Sequence, residues 1–459
     1  MAIYHLTANI ISRARGQSVV AAAAYRSGAA LRDERYGVTH NYAGKRGVVH
    51  SEIMTPAGSP AWSRDRQVLW NKVEANELRK DSQLARVIEV GLPIELSAEE
   101  RVALARDYIA KEFVAKGMIA DFCIRGDANN PHAHILLTLR GVTPSGFGPK
   151  ERRWNGKTVL LEWRSAWATH ANEHLSRAGH AVRIDHRTLE AQQIELTPGR
   201  RIGVARARHG DEALPDHLAE RIAEQRRIAK QNGETILEDP TVALRALTHQ
   251  RPTFTHQDLA RFLRPRTESA AQFDAVFLAV TQSKDLVALD PDEGGQGRFT
   301  SRDMIEAKRS LVRRTASMAA RRGHGVASEV QNDALAQFSL NDTGRGAFEY
   351  LVNEGDVKAI AVTDGAKAAL LAAARQAWNA AGFSVRSAEE CLQGHDSLTS
   401  GTVLLVDGAQ MIGLKELERL LAVADKARAK VALIGDADQL LAMRVEPPFQ
   451  ELLRLAGQR

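Results

Sequence analysis

Short alternating segments and amphipathic helices follow one another along the first 190 residues. Ser97, followed by Glu100, has the capping-box pattern that opens a helix. The turn-forming residues 126–131 separate two apolar segments, which predicts a hairpin. Alternation predicts strands over residues 2–9, 85–92, 118–124, 132–139 and 181–184. Helical spacing predicts helices over residues 17–31, 63–80 and a segment that contains Trp163 and Trp167 and ends near Gly179. This part therefore reads as an α+β domain, an antiparallel sheet flanked by helices.

The second half of the chain changes pattern twice. Residues 197–230 are rich in Arg and Glu with few large apolar residues, which indicates a linker or an exposed helix. Residues 240–325 have helical patterns, with Thr255 as the cap of one helix. From residue 357 onward, short apolar strands alternate with helices, which predicts a parallel α/β segment. The strands lie at residues 360–362, 403–406 and 431–434, and the helices at 367–380 and 414–427.

Composition narrows the function classes only modestly. The 459 residues are 44% hydrophobic and 26% charged, as in globular proteins with two or three domains. A net charge of +6 and a pI near 9.3 favour a polyanionic partner. Cys123 and Cys391 form no disulfide framework, and no signal-peptide pattern or bilayer-length apolar run is present. We expect a cytoplasmic protein without membrane insertion.

The segment Pro131-His132-Ala133-His134 begins an apolar strand. Because side chains alternate along a strand, His132 and His134 lie on the same face. Two converging neutral imidazoles suit a divalent or transition metal ion. The alternative is a pair of half-buried strand histidines that bind nothing, since a metal site needs further ligands.

Tyr25 lies in the alanine-rich helix, where a tyrosine is ordinarily a packing residue. Its functional interpretation is a nucleophile, which requires deprotonation or a cation that polarises the phosphate under attack. We expect its hydroxyl to face the two histidines across a cleft. The basic segment 32–46, with Tyr36 and Tyr42, is either a solvated loop or a grip on single-stranded DNA.

Several segments, taken in order, resemble one protein family. They are MAIYHL at the start, QS through AYRSG at residues 17–28, LPIEL at 92–96, PHAH at 131–134 and RIDHR at 183–187. Together they resemble the MobA/MobL-type (MOBQ) conjugative relaxases, and more closely their Ti-plasmid TraA-like branch. The resemblance covers nearly all of residues 1–190.

The resemblance implies an HUH-type relaxase, which nicks and rejoins one strand of a plasmid transfer origin through a 5′-phosphotyrosine. By position, Tyr25 would be the nucleophile, and His132 and His134 would bind a divalent ion, Mg²⁺ or Mn²⁺. The implied partners are single-stranded origin DNA, accessory relaxosome proteins and a type IV secretion coupling protein. The candidate DNA-binding residues are Arg26, Arg32, Arg35, Lys45, Arg46 and Arg125.

One position departs from the family pattern. The third metal-binding histidine of the family follows a Met-x-Ala-Asp element on the preceding strand, where this chain has Arg125. A guanidinium has no free lone pair and cannot replace an imidazole ligand, although it can neutralise a phosphate. Asp127 or Glu89 could complete the metal site instead.

The last part of the chain resembles a RecD-like helicase lobe. GDADQ at residues 435–439 is similar to the GDxxQ motif of these helicases, and VLLVDG at 403–408 is similar to their Walker B strand. The TraA-like relaxases carry such a helicase behind the relaxase. The Walker A loop would then lie at residues 361–368.

The nucleotide-binding residues of these helicase motifs are altered. Lys367 is retained, but Ala366 and Ala368 replace the glycine and the hydroxyl residue that contact phosphate and magnesium. Asp364 adds negative charge where the phosphates would lie, and Gly408 replaces the Walker B acid that activates water. We expect no ATP binding and no helicase activity.

The sequence thus predicts three parts. They are a MobA/MobL relaxase domain at residues 1–195, a helical linker region at 196–340 and a truncated, degenerate, partly P-loop-like α/β lobe at 341–459. An active relaxase is the leading hypothesis. The alternative is a catalytically impaired DNA-binding remnant, and Arg125 is the residue that discriminates between them.

Overall fold

The computed structural model describes residues 4–126, 130–199, 216–291, 295–387, 398–443 and 447–457. The chain divides into two compact units, Met1–His186 and Arg187–Arg459. The domain boundaries predicted at 195/196 and 340/341 stay predictions. No helix among the described residues is long and apolar enough to cross a bilayer.

The first unit contains nine strands and four α-helices among its described residues. The strands are β1 (Leu6–Ser12), β2 (Ala30–Asp33), β3 (Val38–Asn41), β4 (Val48–Met54), β5 (Gln83–Gly91), β6 (Ala120–Arg125), β7 (His132–Thr138), β8 (Arg140–Thr143) and β9 (Gly146–Lys150). The helices are α1 (Val19–Ser27), α2 (Arg66–Asn76), α3 (Ala98–Ile109) and α4 (Lys157–Arg177). The capping box at Ser97 and Glu100 is confirmed at the start of α3.

Five of these strands form one antiparallel sheet in the order β1-β5-β7-β6-β4. One face packs against α3 and α4 through an aromatic core that includes Tyr108, Phe113 and Trp167. The other face packs against α1 and α2, in a cluster that includes the fully buried Trp70. The predicted antiparallel sheet flanked by helices is confirmed, and β7 lies at its middle.

Two predicted elements of this unit are wrong. The helix predicted over residues 17–31 ends at Ser27, because Gly28 takes the left-handed conformation (φ 67°) and Ala30–Asp33 forms β2. Residues 181–184 form no strand. The side-chain amide of Asn172 instead bonds both the N–H and the C=O of Ile184, so no strand partner is needed.

The bounds of the other strands and of the basic segment also differ from those predicted. The first strand runs over Leu6–Ser12 rather than residues 2–9. Residues 2 and 3 of the predicted strand lie outside the described part. The basic segment 32–46 is not simply a loop, because it contains the end of β2 and all of β3, which pair as a hairpin.

The second unit begins with helices and ends in a parallel sheet. Its helices are α5 (Asp216–Glu238), α6 (Thr241–Gln250), α7 (His256–Leu263), α8 (Ala270–Thr281), α9 (Arg302–Ala319), α10 (Ser328–Gln337), α11 (Asp342–Val352), α12 (Asp364–Ala380), α13 (Leu414–Ala427), α14 (Ala437–Ala442) and α15 (Pro448–Ala456). Its strands are β10 (Leu286–Leu289), β11 (Arg298–Ser301), β12 (Val357–Val362), β13 (Ser384–Ser387), β14 (Thr402–Asp407) and β15 (Lys430–Asp436).

The predicted parallel α/β segment is confirmed, with strand order β12-β15-β14-β13. Thr255 caps α7 as predicted, in a capping box with Asp258. The wholly helical prediction for residues 240–325 is wrong at the β10–β11 hairpin. Its Phe299 and Thr300 are residue types that favour strands, but each strand is only four residues long.

Candidate functional site

Strand register places His132 and His134 on one face of the central strand β7. His134 is opposite Glu89 of β5 and Cys123 of β6, and His132 is opposite Arg125 of β6. The imidazole centroids are 4.9 Å apart, and the rings are inclined by 81°. The predicted arrangement of the two histidines on one face is therefore confirmed.

Both imidazoles can present a lone pair. The Nδ1 atom of His132 lies 2.8 Å from the carbonyl oxygen of Asn130. Since a carbonyl only accepts, the neutral ring carries its proton on Nδ1 and leaves Nε2 as an electron-pair donor. Burial lowers the pKa of His134 to about 4, and Arg26 and Arg125 contribute in the same direction. His134 is consequently a neutral ring at pH 7.

Glu89 is the carboxylate beside this pair. Its two oxygens lie 3.5 Å from Nε2 of His5 and 3.7 Å from Nδ1 of His134. The hydrogen bond with His5 lowers the pKa of Glu89 to about 2, so the group is an anion at neutral pH. The sequence analysis missed His5, because the register between β1 and β5 cannot be read from either strand alone. Asp127 lies outside the described residues.

Helix α1 brings Tyr25 to the same face of the sheet. Val20 and Ala24 of α1 belong to the hydrophobic cluster that contains Leu136 of β7. Tyr25 lies at the solvent edge of this packing, with 39% of its surface exposed. The centroid of its ring is 5.6 Å from the guanidinium carbon of Arg125. The structure therefore brings Tyr25 and the histidine-bearing face together.

Cations and a second aromatic ring surround Tyr25. The Nζ atom of Lys45 lies 2.8 Å from the ring centroid and donates a 2.8 Å hydrogen bond to the backbone oxygen of Tyr25. The ring of Tyr42 contacts Tyr25 edge-on at 5.3 Å. Burial lowers the pKa of Lys45, and repulsion from Arg125 and Arg26 adds to that effect. The local field is positive and favours an anion.

Two arginines at this site hold unused hydrogen-bond donors. The Nε atom of Arg26 and the Nε and Nη2 atoms of Arg125 are buried and have no hydrogen-bond partner among the described residues. Burial lowers the pKa of Arg26, yet a guanidinium stays protonated at neutral pH. Buried charged donors without partners are costly, and an anionic ligand would satisfy them.

A buried ion pair fixes the start of α1. Nη2 of Arg13 donates to the carboxylate of Glu74 at 2.7 Å, and the other oxygen of that carboxylate accepts from the backbone N–H of Val19 at 3.0 Å. Arg13 also donates to the backbone oxygens of Glu77 and Arg79. These residues set the position of the helix that carries Tyr25. Sequence analysis missed them, since they are far apart along the chain.

The Asp121 side chain has a structural role next to the site. It accepts from Nε and Nη2 of Arg66 at 2.9 and 2.8 Å and from Nε1 of Trp70 at 2.8 Å. Asp121 therefore ties α2 to β6, the strand that ends at Arg125.

The remaining predicted DNA-binding residues lie on and after the β2–β3 hairpin. The Oδ1 atom of Asp33 accepts from the backbone N–H groups of Arg35 and Tyr36, which shapes the turn. Arg32, Arg35 and Arg46 are exposed, and Tyr36 is 51% exposed. The hairpin thus offers cations and an aromatic ring to the solvent.

Metal-ligating residues are few at this site. Within the described part of the chain, no group of three or more histidine, cysteine or acidic side chains is arranged to hold a metal ion. His132 and His134 supply two nitrogen donors, and Glu89 is the neighbouring carboxylate. Arg125 takes the place opposite His132.

In the second unit, the two retained charges of the nucleotide motif neutralise each other. The Nζ atom of Lys367 lies 2.7 Å from Oδ1 of Asp407. Gln410 donates to the side-chain oxygen of Gln439 and accepts from the backbone N–H of Asp436. The side chain of Asp364 lies outside the described part.

Two family models match parts of the chain. The MobA/MobL family model matches residues 17–211, and an AAA domain model matches residues 345–459. A probable conjugal transfer protein TraA of Sinorhizobium fredii is 31% identical over 525 aligned residues, which cover 100% of this chain and 48% of that protein. The chain therefore spans about half the length of the TraA relatives it matches.

Shorter relatives match the first part of the chain. A mobilization protein MobL of Acidithiobacillus ferridurans is 38% identical over 277 residues, which cover 52% of this chain and 72% of that protein. A solved structure described as "Molecular Basis of Vancomycin Resistance Transfer in Staphylococcus aureus" is 37% identical, with a TM-score of 0.39, and the match covers 41% of this chain and 100% of the other. The chain belongs to the MobA/MobL family of conjugative mobilisation proteins.

Proposed function

We propose that this protein is an HUH-type relaxase that nicks and rejoins one strand of a plasmid transfer origin. One observation carries the proposal: Tyr25, Arg125 and the pair His132 and His134 share one face of the antiparallel sheet. Transfer of a phosphoryl group to tyrosine needs a nucleophile and positive charge at the phosphate, and two neutral imidazoles could hold a divalent ion that adds to that charge.

Tyr25 is the proposed nucleophile. Its Oη forms a bond to phosphorus, the bond to the 3′ oxygen breaks, and the 5′ phosphate remains on the tyrosine. Attack by a tyrosine hydroxyl is helped by nearby positive charge, and Lys45 and Arg125 both lie against the ring of Tyr25. Rejoining is the reverse reaction, in which the freed 3′ hydroxyl attacks the phosphotyrosine.

His132 and His134 are the proposed ligands of a divalent ion, Mg²⁺ or Mn²⁺. The Nδ1 contact of His132 and the neutrality of His134 fit that role. Glu89 is an anion whose Oε2 lies 3.7 Å from Nδ1 of His134, but the three side chains are not arranged as a complete metal site, so water or the substrate phosphate would have to supply the other ligands. A divalent ion at this position would polarise the non-bridging oxygens of the scissile phosphate.

Arg26 and Arg125 are proposed to contact that phosphate with their unused N–H groups. The backbone of the single strand would be bound by Arg32, Arg35, Lys45 and Arg46. Further partners, proposed from the family resemblance, are relaxosome proteins and a secretion coupling protein. The absence of a third histidine at Arg125 supports a second candidate, a DNA-binding remnant with impaired catalysis.

The test is covalent trapping. Overlapping single-stranded oligonucleotides from the replicon that encodes the chain are incubated with the protein and Mn²⁺, and adducts are separated on denaturing gels. We expect one oligonucleotide to become attached to the Tyr25 peptide, as identified by mass spectrometry, and Tyr25→Phe to form no adduct. DNA binding without any adduct would favour the remnant instead.

We further propose that residues 345–459 do not bind ATP. The ion pair between Lys367 and Asp407 supports this, because it occupies the two groups that would meet phosphate and magnesium. Titration calorimetry with ATP and Mg²⁺ is expected to show no saturable heat. Saturable binding at millimolar ATP or below would refute it.

A further inference from the structure

A cavity of about 520 Å³ opens on the sheet face that carries the histidine pair. It lies between β4, the hairpin strand β2 and the start of α2, and its walls include Leu31, Ser51, Ile53, Arg64 and Gln67. This volume falls in the range of small-molecule binding pockets. None of the residues named here was singled out by the sequence motifs.

Strand register connects the cavity to the proposed nicking site. Ser51 of β4 is opposite Cys123 of β6, and Cys123 is opposite His134 of β7. Opposed residues point to the same face, so Ser51 and His134 share it. With neighbouring strands about 5 Å apart, the backbones at Ser51 and His134 are separated by roughly 10 Å.

The lining combines the groups that recognise a nucleotide. Leu31 and Ile53 supply apolar surface, and Ser51 supplies a hydroxyl. Arg66 lines the cavity while its guanidinium is held by Asp121 and Ser51, so its charge is fixed in place. Arg64 is exposed and makes no hydrogen bond or ion pair among the described residues.

The two carboxylates of the lining are already engaged. Glu52 forms an ion pair with Arg106 and a hydrogen bond with His50. Asp65 accepts the N–H of Val68 as the cap of α2. Arg66 is likewise neutralised, by its ion pair with Asp121. Arg64 is therefore the lining side chain whose charged N–H groups are available to a ligand, and a guanidinium of this kind suits a phosphate.

We propose that this cavity binds one nucleotide of the single strand that flanks the scissile phosphate, with the base against Leu31 and Ile53 and its phosphate beside Arg64. The proposal rests on the proposed relaxase function, and it assigns to Arg64 a role in holding the substrate strand. A nucleotide held there would fix the register of the strand over Tyr25.

The experiment uses the full chain carrying Tyr25→Phe, so that binding is measured without nicking. Fluorescein-labelled dT20 is the binding probe, and its 4-thiothymidine form is the photo-crosslinking probe. Crosslinked peptides are identified by mass spectrometry. Arg64→Ala removes the uncommitted cation of the cavity, and Arg15→Ala removes another exposed arginine, which follows β1 at the opposite edge of the sheet.

We expect crosslinks in peptides that contain residues 31, 51–53 and 64–67, together with those near position 25. Arg64→Ala should weaken dT20 binding about tenfold, as expected for loss of one charge-assisted hydrogen bond, while Arg15→Ala changes it less than twofold. Melting curves of both variants should match the parent.

Crosslinks near position 25 without crosslinks in the cavity peptides would overturn this proposal and leave the relaxase function intact. Equal affinities of the Arg64→Ala and Arg15→Ala variants would overturn it as well. Failure of the protein to bind dT20 or any tiled oligonucleotide would instead refute the relaxase function.

Discussion

Lys430 begins strand β15 of the second unit, with none of its surface exposed to solvent. Its Nζ donates to the backbone oxygen of Asn353 and lies 5.6 Å from the ring centroid of Trp378. Burial lowers the pKa of Lys430 from 10.5 to about 7, and the nearby Lys358 contributes. We predict that Lys430→Met stabilises this unit at neutral pH.

The magnitude follows from the two pKa values. In the unfolded chain the amine is protonated below about 10.5, whereas in the folded chain it is protonated only below about 7. Each factor of ten in proton affinity corresponds to about 1.4 kcal/mol. The lower proton affinity of Lys430 in the folded chain therefore reduces the free energy of unfolding by about 5 kcal/mol at pH 7. Losing the hydrogen bond to Asn353 offsets about 1 kcal/mol of the gain. The substitution should therefore add roughly 4 kcal/mol.

The sign of the pH dependence distinguishes this cause from better packing. Between pH 7 and 10.5 the unfolded chain binds the proton and the folded chain does not, so parental stability rises with pH. The advantage of Lys430→Met should shrink across that window and vanish near pH 10.5. The assay is urea unfolding at pH 7, 8.5 and 10, read by pulsed hydrogen exchange on peptides from β12 and β15.

Lys426→Met is the matched control, because Lys426 is exposed on the preceding helix. That variant should change stability by less than about 0.5 kcal/mol at each pH. A constant difference between Lys430→Met and the parent at all three pH values would refute the reasoning about the buried amine.

Further predictions concern the first unit. Arg125→His should tighten Mn²⁺ binding, as measured by calorimetry. The same substitution should lower the yield of Tyr25 adduct about tenfold, because the cation beside the phosphate is lost. An increased yield of adduct would support an impaired metal site instead. Arg125→Lys should retain more adduct than Arg125→His. Glu74→Gln should lower the free energy of unfolding by about 3 kcal/mol in urea titration, since it leaves Arg13 buried without its counter-charge. A loss below about 1 kcal/mol would contradict the role of the Arg13–Glu74 ion pair in fixing the start of α1.

The sequence by itself determined the elements with strong local signals. The two-residue spacing of His132 and His134 fixed their common face, because alternation is a property of any strand. Capping residues such as Ser97 and Thr255 marked helix starts, since the side chain bonds the backbone only three residues away. The parallel α/β pattern after residue 357 was equally readable.

Only the tertiary structure decided which distant residues meet. The register of β5 against β1 and β7 placed Glu89 between His5 and His134, and no single strand encodes that register. Gly28 ended α1 before the predicted boundary, because a left-handed residue closes the helix whatever the propensity of the alanines before it. The cavity lined by Arg64 forms where strand, hairpin and helix converge. Local spacing fixes the direction of a side chain, but contacts across the sheet fix its neighbours.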